Sequence, residues 1–180
     1  EEIKRKSAGK VVAEPCRIGP LCQDIPADYD VILDRISHDV PFYRTYLKLR
    51  VSGLPDAAQR KVLWPLLSKD LQALFEAAQR EQDKFVHENP DQKPPWCEGD
   101  LFSSLFEGAQ SFTVGSANVR DNRVEVQVHL VYREGQHTVR WADTLVLIRT
   151  KDGWRVWDIF FNGQWAFKTG NSLRSVLRME

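Results

Sequence analysis

Residues 111–161, SFTVGSANVR DNRVEVQVHL VYREGQHTVR WADTLVLIRT KDGWRVWDIF F, decide the architecture. Apolar and polar side chains alternate through this stretch with a period of two, the pattern of strands that bury one face. Strands are expected at 111–120, 123–133, 137–150 and 154–161, with a fifth at 165–168. The breaks between them hold Asp121-Asn122, Glu134-Gly135-Gln136, Asp152-Gly153 and Asn162-Gly163, residues that tolerate positive φ and therefore suit tight hairpins. Successive hairpins imply an antiparallel meander.

The length of the turn near Gly135 sets which side chains share a face. A three-residue loop, the expected form, pairs Arg133 with His137. It gathers Val124, Val126, Val128, Leu130, Ala142, Val146, Ile148, Trp157 and Ile159 on one face, and Glu125, Gln127, His129, Trp141, Asp143, Leu145, Leu147 and Asp158 on the other. A two-residue Gly135-Gln136 turn would slip the pairing by one and carry Trp141, Asp143 and Asp158 to the valine face. In both registers Asp143 and Asp158 share a face four residues apart, about 13–14 Å at ~3.4 Å per residue. A glycosidase-type carboxyl pair needs roughly 5–9.5 Å, so a carboxyl dyad is disfavoured.

Upstream the period changes to that of helices. Asp39-Val40-Pro41 supplies a start, Tyr43, Tyr46, Leu47 and Val51 an apolar stripe, and Gly53 with Pro55 a stop. A short helix is expected from Asp56 to Trp64-Pro65. Ser68 can cap a third, carrying Leu71, Leu74, Phe75, Ala78, Phe85 and Val86 to Asn89-Pro90. Residues 90–100 read as a proline-rich loop, 101–106 as a possible helical turn, and Asn171 as the cap of a short helix through Leu177. Helices followed by a meander specify an α+β fold in which helices cover one sheet face. Residues 39–180 form the expected single domain. Residues 1–38 are expected to be an extended segment, with the charged stretch 1–10 as a tether.

Twenty-five basic and 25 acidic residues in a chain of 180 give no net charge, which argues against a nucleic-acid surface. No apolar run reaches membrane-spanning length. The sequence begins at Glu1 and has its single methionine at position 179, which reads as either a trimmed chain or a processed one from which a signal peptide has been removed. Cys16 and Cys22 are candidates for a small disulfide loop, with three reduced thiols, Cys97 included, as the alternative. Neither a Cys-x-x-Cys pair nor closely spaced histidines support a metal site, and no cofactor motif is present.

Catalytic candidates reduce to one pair. In the expected register His129 lies diagonal to Asp143, and a carboxylate that orients an imidazole can serve as a general base. A surface polar pair is the plainer reading. Binding candidates are Trp96, in a Pro-Pro-Trp-Cys loop with Glu98 and Asp100 as an acidic rim, and a possible pocket oriented by Trp141, Asp143 and Asp158.

The phrases Phe42-Tyr43-x-x-Tyr46, Gly53-Leu54-Pro55, Leu66-Leu67-Ser68-x-x-Leu71, Gly99-Asp100-x-Phe102-Ser103-Ser104-Leu105-Phe106-Glu107-Gly108, Trp141-x-Asp143 and Gly153-Trp154-Arg155-Val156-x-Asp158-Ile159, taken in order, resemble the bacterial domain-of-unknown-function 3828 family over residues 40–178. The chain has Trp157-Asp158 where that family would place an acidic pair. The resemblance implies a cystatin-like, nuclear transport factor 2-like cone and an exported, periplasmic envelope protein with no assigned activity. The expectation is a non-enzymatic binding module for another envelope or secreted protein, as an accessory subunit or an immunity protein. A small-molecule pocket is the alternative.

Overall fold

The computed structural model describes residues 41–120, 122–165 and 171–179, together with the backbone of a hairpin made by β1 (Ile3–Ser7) and β2 (Lys10–Glu14). Ser7 faces Lys10 across that hairpin, so part of the expected tether is paired strand. The β-branched residues Ile3, Val11 and Val12 favour this conformation. The candidate disulfide, Cys16 with Cys22, lies outside the described residues.

The main body follows the expected order: helices, then an antiparallel sheet. Helix α1 (Pro41–Leu49) buries Phe42, Tyr43 and Tyr46. Asp56 caps α2 (Ala57–Leu63) through a reciprocal box, its Oδ1 accepting from Ala58 N and Gln59 N at 2.8 Å while Gln59 Oε1 accepts from Asp56 N at 2.9 Å. A 3₁₀ turn over Trp64–Leu66 leads to Ser68, whose Oγ accepts from Leu71 N at 3.2 Å and opens α3 (Lys69–Glu88). Leu71, Phe75 and Ala78 of α3 enter the core, while Val86 stays exposed.

Strands β3 (Ser111–Arg120), β4 (Arg123–Glu134), β5 (His137–Thr150) and β6 (Gly153–Phe160) form one sheet in sequential order. The turn at 135–136 is the two-residue form. Glu134 faces His137, and Gly135 takes the left-handed φ of +57°. The expected three-residue register is therefore wrong by one residue. The physical reason is visible in burial: the slip moves Trp141, Leu145 and Leu147 onto the face of Val124, Val126, Val128 and Leu130, where all are buried. Burying two more leucines and an indole outweighs bringing in Ala142 and Ile148.

A second departure is the bulge at Trp157. Leu147 faces Val156, yet Val146 faces Asp158. The extra residue turns Asp158 to the sheet face opposite Asp143, so the two carboxylates do not share a face as alternation alone predicts. Position 165 is not in a strand either; 166–168 lie outside the described residues. Residues 101–106 are irregular, not helical. The cap of α4 (Leu173–Arg178) is Ser172, in a box with Ser175, and not Asn171.

The two edges of the sheet differ. Along β6, Ser68 N donates to Val156 O at 2.8 Å and Phe161 N to Asn171 O at 2.8 Å, so flanking chain covers that edge. No described strand pairs with the outer side of β3, where a bulge between Val114 and Ala117 breaks the ladder. The core is continuous from α1 and α3 through the valine face to Leu173 and Leu177 of α4. Among the described residues, no helix is long and apolar enough to cross a membrane.

Candidate functional site

The segment 99–108 is bracketed by two glycines in the left-handed region, Gly99 at φ +79° and Gly108 at φ +78°. Between them Leu101, Phe102, Ser103, Ser104 and Leu105 are all buried, so this is loop backbone carried inside the protein. Its polar groups must then find partners within the fold. Gly53 N donates to Gly99 O at 2.7 Å, Asp100 N to Phe106 O at 2.8 Å, and Gly108 N to Leu105 O at 2.9 Å. A Cβ at Gly108 would stand 2.3 Å from Asp100 Oδ2, so only glycine lets the chain return this close.

Two buried carboxyls hold the loop. Asp143, fully enclosed, accepts from Ser104 N at 2.9 Å, Trp141 Nε1 at 3.0 Å and Asn162 N at 3.0 Å, and also from Ser104 Oγ. Ser104 Oγ in turn accepts from Gly163 N at 2.9 Å. Four donors stabilise the carboxylate without a cation and tie β5, the loop and the chain after β6 together. Trp141 packs edge-on to Trp165, with ring centres 5.6 Å apart.

Asp100 is the second. Tyr46 donates its hydroxyl to Oδ2, Phe102 N donates to Oδ1 at 2.6 Å, and Ala109 N donates to the Tyr46 oxygen at 3.2 Å. Burial pushes the Asp100 carboxyl up to about 7 against the lowering effect of these donors, with the Asp143 charge adding to the rise. The Tyr46 phenol is likewise raised, by burial first and then by Asp100. Tyr43, one turn earlier, is raised by burial and by both carboxylates, and its buried hydroxyl has no hydrogen-bond partner among the described residues.

Tyr46 and Asp100 lie at the floor of a cleft of about 480 Å³ between the end of α1 and the loop. Arg50, Ser52, Glu98, Glu107, Gln110 and Tyr132 contribute polar walls, and Leu47, Val51 and Phe106 apolar ones. Asp100 is only 6% exposed although it lines the cleft, whereas Arg50, Glu98 and Glu107 are exposed. Glu98 is paired with Lys93. The volume lies within the range of small-ligand pockets.

The other candidates are dispersed. His129 is exposed and faces Ala142, while Asp143 is buried on the opposite face beside Val128, so the one-residue slip abolishes the His129–Asp143 pair. Trp96 is not a free anchor: it is half-buried, and its Nε1 donates to Val176 O at 3.0 Å, fastening its loop to α4. Asp158 braces the first turn of α4 beside its Ser172 cap, accepting on Oδ1 from Arg174 N at 3.0 Å and Ile159 N at 2.8 Å, and its carboxyl is raised by burial. Beside it, Trp157 lies between the guanidinium groups of Arg123 and Arg174, at 4.3 and 4.4 Å. Cys97 is an exposed free thiol. Among the described residues, no cluster of three or more His, Cys, Asp or Glu could hold a metal ion.

The fold thus brings Asp100 and Glu98 to one cleft and leaves Trp141, Asp143, Asp158 and His129 elsewhere. Tyr46, Arg50, Glu107 and Gly108 complete that cleft without having been singled out as binding residues in the sequence. The signal was the Gly99–Gly108 bracket around Asp100, together with two tyrosines on an otherwise apolar helical stripe. No family model, curated protein or solved structure matches the chain.

Proposed function

We propose that this chain is a non-enzymatic binding protein of the bacterial cell envelope that takes a small ligand into the cleft between α1 and loop 99–108. The cleft carries the reading: it has ligand-sized volume, apolar and polar walls, and a buried carboxyl–phenol pair at its floor. The separation of His129 from Asp143 removes the one acid–base pair on which an enzymatic reading rested. Membership of the domain-of-unknown-function 3828 family, a nuclear transport factor 2-like cone and periplasmic residence belong to the same proposal, on the ordered phrases quoted above. A thermal-shift screen of small metabolites tests it. Stabilisation by a ligand in the wild type, lost when Leu47→Trp enlarges a half-buried wall of the cleft in a protein that still melts cooperatively, is the expected result. A folded protein that no small molecule stabilises would remove the pocket reading.

Engagement of another envelope or secreted protein is the second reading, favoured by Phe106, a cleft-wall aromatic that is 44% exposed. A stoichiometric partner recovered from the native envelope, with binding lost on Phe106→Ala, would support it.

A further inference from the structure

We propose that the ligand class of the cleft is an amine, whose ammonium group is received by the Asp100 carboxylate at the floor, and this rests on the pocket reading above. The argument turns on where the charges lie. Glu98 is already paired with Lys93, and both are solvent-exposed. Arg50 and Glu107, of opposite sign, also sit in solvent at the wall, where water and salt weaken their fields. Asp100 is different: it is buried, it lines the cleft, and among the described residues no cation lies within ion-pair distance of it. Its only partners are neutral donors, the Tyr46 hydroxyl and loop amides. In a low-dielectric floor an uncompensated carboxylate attracts an incoming cation far more strongly than exposed wall charges repel it.

The remaining surroundings suit an ammonium. Tyr46, Phe106 and Tyr132 supply aromatic lining, whose ring quadrupoles favour cations. Asp100 keeps a small exposed area, 6%, although it is otherwise enclosed, and it lies on the lining of the cleft. Each carboxylate oxygen has lone-pair capacity beyond the donors it now accepts.

Ionisation of Asp100 should then govern affinity. The titratable and charged groups around it are Tyr43 and Tyr46 on α1, Asp143 on β5, and Arg50, Glu98 and Glu107 at the cleft walls. An amine should bind about tenfold less tightly near pH 6 than near pH 8, as the ionised fraction falls around a midpoint of about 7.

Three probes of matched size and different charge test the inference: 2-phenylethylamine, 2-phenylethanol and 3-phenylpropionate, titrated at millimolar concentration into the full chain. Amide shifts of Gly99, Gly108 and Ala109 in nitrogen-15 spectra report occupancy. The expected result is that the amine binds at least tenfold more tightly than the alcohol near pH 8, that the carboxylate binds weakest, and that Asp100→Asn erases the ranking. If the alcohol matches the amine, the amine assignment falls and the pocket reading stands. If no probe shifts the cleft amides, both fall. Should Asp100→Asn fail to fold, the probe ranking and its pH dependence in the wild type decide the matter alone.

Discussion

Raising the pH from acid to neutral is expected to destabilise this fold, because the folded chain holds a proton on Asp100 that the unfolded chain releases much earlier. The carboxyl rises from 3.8 to about 7 on folding, with burial as the main cause. Between those values the native state binds more protons than the unfolded state, so stability must fall as pH rises. The contribution is fully present below the unfolded value and is lost by the time the pH has passed about 7. Three units at 1.36 kcal/mol each amount to roughly 4 kcal/mol. That is a large share of a total of about 5–15 kcal/mol, and should lower the melting temperature by roughly 10 °C. Asp158, also raised by burial, acts in the same direction.

Urea unfolding at a series of pH values from acid to mildly alkaline, followed by tryptophan fluorescence, measures the effect. Asp100→Asn is the informative comparison, since an amide is a neutral isostere of the protonated acid. Its Nδ2 can donate to the Tyr46 oxygen while Oδ1 keeps the Phe102 amide. The variant should lose most of the pH slope and equal or exceed the wild type above neutrality. A wild-type stability that is flat or rises across this range, or a variant slope equal to the wild type's, would refute the reasoning.

Two further outcomes follow from the same network. Asp143→Ala strands two buried donors, Ser104 N and Trp141 Nε1, and frees the part-buried Asn162 N, and should cost about 2–3 kcal/mol by urea unfolding; a loss below about 1 kcal/mol would show that water replaces the carboxylate. Trp96→Phe removes only the indole bond to Val176 O and should cost about 1 kcal/mol, read as a roughly fivefold fall in hydrogen-exchange protection across α4. Unchanged protection there would mean that the loop does not brace the helix.

The parts of the fold that rest on local chemistry were legible in the sequence. Asp56 and Ser68 announce helix starts because a short polar side chain satisfies amides that have no partner in the first turn. The meander order was equally plain, since glycine and asparagine mark where strands must reverse. Faces were less legible. Register depends on a single residue at Gly135, and alternation cannot reveal the bulges at Trp157 and between Val114 and Ala117. Counting by two therefore placed Asp143 and Asp158 together when the sheet separates them. The cleft was the hardest part to read: Asp100 could be flagged as an acidic loop residue, but its meeting with Tyr46 spans 54 positions. No local pattern encodes such a contact.

The contrast between the two sheet edges bears on self-association. With β6 screened by the chain around Ser68 and Asn171, β3 is the edge of this sheet that no described strand covers. A strand of ten residues is long enough to template a neighbour. The extra residue between Val114 and Ala117 interrupts its row of outward amides and carbonyls, and Arg120 at its end adds a charge that resists stacking. Deleting Ser116 would restore an even ladder and, with it, a flat adhesive edge. The irregularity that spoils the arithmetic of alternation thus also interrupts the edge at which pairing between copies would have to start.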